Sequence, residues 1–169
     1  MKQTAVFASL LFFLASLSFS TQAQDTRKIV VEQPNSPISL SEYSAEYQER
    51  DSYQSEGVRN EVTYRNTSNR DIVAFELGFV MFSVFNEFLD NSSGVSMDDL
   101  EAGDSDDGGW VFNSLNAFTF HTGVAFVRHL RCENGEIWEA DMSVVEDRIQ
   151  KIQSEFDASQ LGKDEGESE

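Results

Sequence analysis

Six carboxylates crowd one short stretch of the chain: Asp98, Asp99, Glu101, Asp104, Asp106 and Asp107, with Gly103, Gly108 and Gly109 among them. Hard oxygen donors on a glycine-rich loop are what a calcium ion takes. Laid against an EF-hand loop that starts at Asp104, positions one and three are Asp104 and Asp106. Position five is then Gly108 and position twelve is Leu115, so the bidentate glutamate is missing. The chemistry on offer is a weak calcium site, and a solvated, mutually repelling loop is the reading preferred over it.

Other reactive residues do not assemble by spacing. His121 and His129 stand eight apart in one β-rich run. An even spacing lets them share a face, but eight residues of strand separate them by about 26 Å, too far for one metal ion. Cys132 is the only cysteine. At odd spacing from His129 it faces the other side of a regular strand, so it reads as a small buried residue rather than a nucleophile. No motif nominates a carboxylate pair for glycoside hydrolysis. Asp107-Gly108-Gly109 carries acidic neighbours that would repel a phosphate. Trp110 and Trp138 could stack on a sugar, but core aromatics are the simpler reading. No catalytic residue and no cofactor-binding residue is expected, and the chain is read as a non-enzyme.

The composition points the same way. Twelve basic and 30 acidic side chains in 169 residues give a net charge of −18. That excess argues against nucleic acid and anionic membrane as partners, since phosphate binding needs clustered Lys and Arg. Lys2, the apolar run Ala5 to Leu17 and Thr21-Gln22-Ala23 have the three-part build of a secretory signal peptide, residues 1–23, cut after Ala23. The mature chain is expected to be exported without membrane insertion. The periplasm comes first and the extracellular space is the alternative. A lone cysteine forms no intrachain disulfide there.

The elements that must position these residues follow from period and punctuation. Residues 24–37, with both prolines, read as an N-terminal arm holding a possible edge strand at Ile29-Val30-Val31. Ile38 to Gln48 alternates with a register shift near Ser41-Glu42, which predicts a bulged strand. Val58 to Tyr64 is a second strand, closed by Asn66-Thr67-Ser68-Asn69. Ile72 to Val84 is apolar on both faces, so it is covered on both sides or offers one side to a partner. Asn86 to Gly103 reads as an acidic connection, and Gly109 to Asn113 as a short strand. Phe118 to Cys132, a Glu133-Asn134-Gly135-Glu136 turn and Ile137 to Ala140 make a hairpin. A helix is predicted over 143–161, opened by a Ser143–Glu146 capping box and striped by Val145, Ile149, Ile152 and Phe156. The stripe is expected to dock on an open sheet face. Residues 162–169 form an acidic tail expected to be disordered.

About seven short strands followed by one helix predict an antiparallel β-sandwich over 38–142 with one C-terminal α-helix. Val58 to Asp141 is similar to the FxLYD type of immunoglobulin-like domain in exported bacterial proteins. The likeness rests on Val62-Thr63-Tyr64-Arg65-Asn66-Thr67-Ser68, the apolar strand from Ile72 to Phe82, Leu100-Glu101-Ala102-Gly103, and the terminal hairpin ending Ile137-Trp138-Glu139-Ala140-Asp141. Met81-Phe82-Ser83 stands where that family carries Leu-Tyr-Asp. The resemblance implies an immunoglobulin-like fold serving as a binding or accessory module without catalytic residues.

Two functions remain. The first is an exported protein-binding module that uses a sheet edge or the apolar face of Ile72–Val84, its partner another exported protein. The alternative is a calcium-dependent or carbohydrate-binding module using residues 98–107. A hydrolytic enzyme ranks last.

Overall fold

The computed structural model describes residues 26–53, 55–114 and 116–161. The expected signal peptide 1–23 and acidic tail 162–169 lie outside the described residues. In chain order the strands are β1 (Arg27–Val31), β2 (Ile38–Gln48), β3 (Gly57–Asn66), β4 (Ile72–Ser83), β5 (Phe88–Ser96), β6 (Ser105–Phe112), β7 (Phe120–Cys132) and β8 (Ile137–Glu139). Helix α1 covers Met142–Ile149. The fold is mainly β, with two sheets and, among the described residues, one α-helix.

The larger sheet runs β1-β7-β4-β5, with β8 pairing the far half of β7. The smaller runs β2-β3-β6. Their facing sides share one core, in which Phe75, Leu77, Phe79 and Met81 of β4 meet Tyr43, Val58, Val62 and Tyr64. On the outer side of the larger sheet, Val80 and Phe82 of β4 and Val124 and Phe126 of β7 are buried under Val145, Ile149, Phe156 and Leu161. The apolar residues on both faces of β4 are therefore covered on both sides, with Val145 and Ile149 of the predicted stripe docking from the helix and Phe156 from the segment beyond it. This removes the apolar face of Ile72–Val84 as a free binding surface.

Local chemistry explains the elements. β2 carries the expected bulge between Ser41 and Ser44, where Glu42 takes φ 48. The hairpin closes on Gly135 at φ 85, and its N–H donates to Cys132 C=O at 2.9 Å. Only the glycine adopts the left-handed region, which fits a three-residue loop rather than the two-residue Asn-Gly turn.

Several expectations are corrected. Among the described residues there are eight strands rather than about seven. The sheets are not wholly antiparallel, because β1 pairs β7 in parallel, Arg27 opposite Thr122 through Val31 opposite Phe126. The edge strand expected at Ile29-Val30-Val31 is present as β1, an outer strand of the larger sheet, so the sheets begin within the arm and not at residue 38. β5 lies inside the stretch read as a connection. Its Asp90-Asn91-Ser92-Ser93-Gly94 run is made of turn formers, but β4 supplies an unbroken ladder from Phe75 to Met81 that overrides their preference. β6 begins at Ser105, four residues earlier than expected, so two of the six acids are strand residues.

The helix ends at Ile149 instead of reaching 161. Its N-cap is Asp141, whose carboxylate accepts from Ser143 N–H at 3.0 Å, so the capping residue precedes the expected Ser143. Beyond Gln150, side chains compete with the helical ladder. Asp157 Oδ1 accepts from Ser159 N–H at 2.8 Å, and Gln150 Nε2 donates to Phe156 C=O at 3.2 Å. Turns then carry Phe156 onto the rings of Phe82 and Phe88, at 6.0 and 5.9 Å between centroids.

Gly78 lies opposite Phe126 on β7, and a β-carbon there would fall inside that ring. Gly78→Ala is expected to destabilise the fold by about 1–3 kcal/mol through overpacking. Val95→Ala, at a site 55% exposed, should stay within about 0.5 kcal/mol. Urea unfolding of the two variants beside the parent compares them.

Candidate functional site

The acidic stretch is not gathered into one site. Asp98 and Asp99 follow β5, Glu101 and Asp104 flank a turn, and Asp106 and Asp107 are adjacent residues of β6, whose side chains leave opposite faces. Among the described residues no group of three or more His, Cys, Asp or Glu is placed to hold a metal ion. Instead the acids bond locally. Asp106 Oδ1 accepts from Asp107 N–H at 2.8 Å, and Asp107 Oδ1 accepts from Thr63 Oγ1 at 2.5 Å.

The loop before β6 is tied down by Asn66, which is fully buried. Its Nδ2 donates to Leu100 C=O at 3.0 Å and Arg70 C=O at 2.7 Å, and its Oδ1 accepts from Ser68 N–H at 3.0 Å. Its own backbone N–H reaches Asp104 C=O at 2.9 Å, and its C=O receives Gly103 N–H at 3.1 Å. The Asn-x-Ser turn and the Leu-x-x-Gly element, two motifs far apart in sequence, thus form one bonded unit.

This anchoring sets the register of β6, an outer strand of the smaller sheet. Counting in twos from the Asn66–Asp104 bond, the ladder turns the main chain of Asp106, Gly108, Trp110 and Phe112 toward β3. Ser105, Asp107, Gly109 and Val111 present theirs to the open edge. The acidic end of that edge satisfies itself: Asp106 takes the Asp107 N–H, and Tyr64 OH reaches Asp107 C=O at 3.5 Å. Burial, followed by the charge of Asp106, raises the Tyr64 phenol above its ordinary pKa and keeps it a donor. The Gly109–Phe112 end carries no such cover from Asp106 or Tyr64. Outside this ladder an open groove of about 370 Å³ runs over the smaller sheet between Glu42, Glu61 and Asp107.

Trp110 and Trp138 are both half-buried against the inter-sheet core. Trp110 packs its ring where β-carbons of Gly94 and Gly108 would stand and lies 5.6 Å from the Phe79 ring. It is a cover of the core and not an exposed stacking platform. Cys132 is buried there as well. His121 Nδ1 lies 3.1 Å from Thr122 Oγ1.

His129 has a partner that period-two counting missed. The pairing of β4 with β7 skips Arg128 between Glu76 and Leu77. This bulge reverses face parity, so Ala125 and Val127 face the inter-sheet core, then Leu130 and Cys132. Arg128 Nη1 and His129 Nε2 then both reach Glu76, at 3.3 and 3.2 Å from its two carboxylate oxygens. Arg128 Nη2 also donates to Leu161 C=O at 3.1 Å. A lone Glu76 inside an apolar strand was the sequence signal that some partner had to be near.

The fold and this geometry define a mainly β protein of two facing sheets, with an open outer strand and no assembled reactive centre among the described residues. No family model matches the chain, and no curated protein matches it. Among solved structures, a hypothetical protein from Peptoclostridium difficile 630 is similar at a TM-score of 0.50 and 8% identity, over 71% of this chain and 93% of that one. A DUF1425 family member from Shewanella sp. pv-4 gives a TM-score of 0.38 at 15% identity, over 54% of this chain and 76% of its own. The first likeness concerns the fold alone, and nothing rests on the second.

Two outcomes test this site. Asn66→Ala removes the amide that ties the Arg70 and Leu100 carbonyls and the Ser68 N–H together, although Ser68 Oγ and Ile72 N–H still donate to those carbonyls, and it should cost roughly 1–3 kcal/mol in urea unfolding; a loss below about 0.5 kcal/mol would show the anchor to be dispensable. The melting temperature in millimolar calcium should match that in equal magnesium, because the six acids do not converge. A calcium-specific rise of several degrees would restore the metal reading.

Proposed function

We propose that the chain is an exported, non-enzymatic binding module with an immunoglobulin-like sandwich of the FxLYD kind, acting through protein–protein contact at a sheet edge. The observation that carries the reading is the open edge of β6 at Gly109–Phe112. Unpaired main-chain groups on an outer strand are a template for an added strand. The alternative surface, the apolar face of β4, is buried. The meeting of the Asn66 turn with Leu100–Gly103 supports the family reading, since both belong to the motifs on which the resemblance rests. The partner is another exported protein, and the periplasm is the compartment in which it is sought.

The outward groups of Gly109 and Val111 would pair with an extended segment of the partner, while the acidic end of the edge limits where that segment can lie. A photo-crosslinking residue at Val111 is expected to give one defined protein adduct in cells. The same residue at Ile137, also exposed, should give none. Gly109→Pro removes one outward N–H without taking a bond from the β3 ladder, and in the Val111 background it should abolish the adduct. No adduct at 111, or the same adduct at 111 and 137, would refute edge binding.

A further inference from the structure

The ends of β2, β4 and β6 and the starts of β1, β3, β5 and β7 meet at one pole of the two sheets. Among the described residues the large exposed aromatic side chains are Tyr53, Phe85 and Phe118, at 96%, 76% and 62% exposure, and all three lie at this pole. Their neighbourhood is fixed by bonds. Val84 N–H, in the β4–β5 turn, donates to Thr119 C=O at 2.9 Å, which sets Phe85 and Phe118 on adjoining loops. From the β2–β3 loop that carries Tyr53, Arg50, Ser55 and Glu56 face Asn113, Ser114 and Asn116 across a cavity of about 380 Å³. Val84 adds a further apolar side chain, 45% exposed. Apolar side chains gathered at one end of a molecule are unusual for surface residues with no partner.

The chain itself indicates what lies beyond this pole. β1 enters here, Arg27 pairing with Thr122 close to Phe120. The apolar run Ala5 to Leu17 joins the described residues at Thr26. Nine residues from Leu17 to Thr26 span at most about 30 Å at full extension. With that run lodged in a bilayer, the pole is held at the membrane and cannot drift far from it. Its charge fits the same place. Arg27, Lys28 and Arg50 stand at this pole with Glu49, Asp51, Glu56, Glu87 and Asp90, three basic groups against five acidic ones, so the pole is far less acidic than the chain as a whole at −18. Repulsion from a lipid surface is least here, and rings at this end can settle among headgroups.

We propose that this pole is a membrane-facing surface: while the apolar run Ala5–Leu17 is in the bilayer, Phe85, Phe118 and Val84 rest in the lipid interface. The contact is driven by ring and side-chain burial, and it does not use the main-chain groups of the β6 edge, whose Gly109–Phe112 end adjoins this pole. It orients the sandwich with the opposite pole, where β6 starts, directed away from the lipid.

The test uses the full chain bound to phosphatidylcholine vesicles, plain or with brominated acyl chains. Phe85→Trp, Phe118→Trp and Ile137→Trp are compared against the common background of Trp110 and Trp138. The first two are expected to emit at shorter wavelength on vesicles and to be quenched by brominated lipid. Ile137→Trp, at the far pole, should match the parent. Equal behaviour of all three variants overturns the proposal, as does failure of the full chain to sediment with vesicles. A blue shift that follows protein concentration without lipid also overturns it, because it assigns the pole to a second copy.

Discussion

A strand that is apolar on both faces has to be enclosed on both sides, and β4 is that strand. Phe79 and Met81 look toward the smaller sheet, and Val80 and Phe82 look toward the helix. Water on either side would expose several large side chains, each worth roughly 1.5–3 kcal/mol of burial. The smaller sheet and the C-terminal segment answer the same demand from opposite directions. The one polar interruption, Glu76, sits where the enclosure thins, and the bulge at Arg128 brings two cationic-type side chains to it. With both faces of β4 covered, the surface left exposed consists of edges, poles and the outer face of the smaller sheet, where the open groove lies.

The acidic stretch gains its order from neutral chemistry. Asn66 bonds the Leu100 carbonyl in the β5–β6 connection and the Arg70 carbonyl in the β3–β4 turn, so the loop is held by an amide rather than by ions. Six carboxylates could not be pulled together without a cation to offset their repulsion. The chain spreads them over a loop, a turn and two faces of a strand, where water screens them. Trp110 belongs to the same design. Gly94 and Gly108 leave room for its ring to lie flat over the core beside the acids, which closes an edge that small side chains would leave open.

Much of the sheet structure was legible because period and punctuation agreed. The bulge near Ser41–Glu42, the twofold burial of β4, the hairpin at Gly135 and the docking stripe all follow from side-chain spacing. β5 was hidden because its turn-forming residues report local preference, whereas its strand state is imposed by a neighbour distant in sequence. The helix end was hidden because Ile152 and Phe156 continue the stripe after the backbone has left the helix. The Glu76–His129 contact was hidden for a different reason. Counting in twos assumes a regular strand, and one extra residue at Arg128 inverts every later face, a shift that periodicity alone cannot register.

The smaller sheet shows how a fold of two facing sheets keeps an outer strand open without inviting its own copies. The β6 edge is divided chemically at its middle. At the acidic end, Asp106 occupies the outward N–H of Asp107, and Tyr64 reaches the outward carbonyl, so a second strand finds little to pair with. Inward and outward charges of this kind blunt an edge against aggregation. At the other end the two glycine-side and valine-side positions keep their main-chain groups free, but the strand is only four residues long there. A copy of the chain would have to bring its own Asp106 and Asp107 beside the same pair in any antiparallel dimer of β6 centred near them, and like charges directly opposite are unfavourable. A partner without those acids meets no such penalty. The asymmetry of the edge therefore favours a different chain over self-pairing, and the net charge of −18 extends that preference to the rest of the surface.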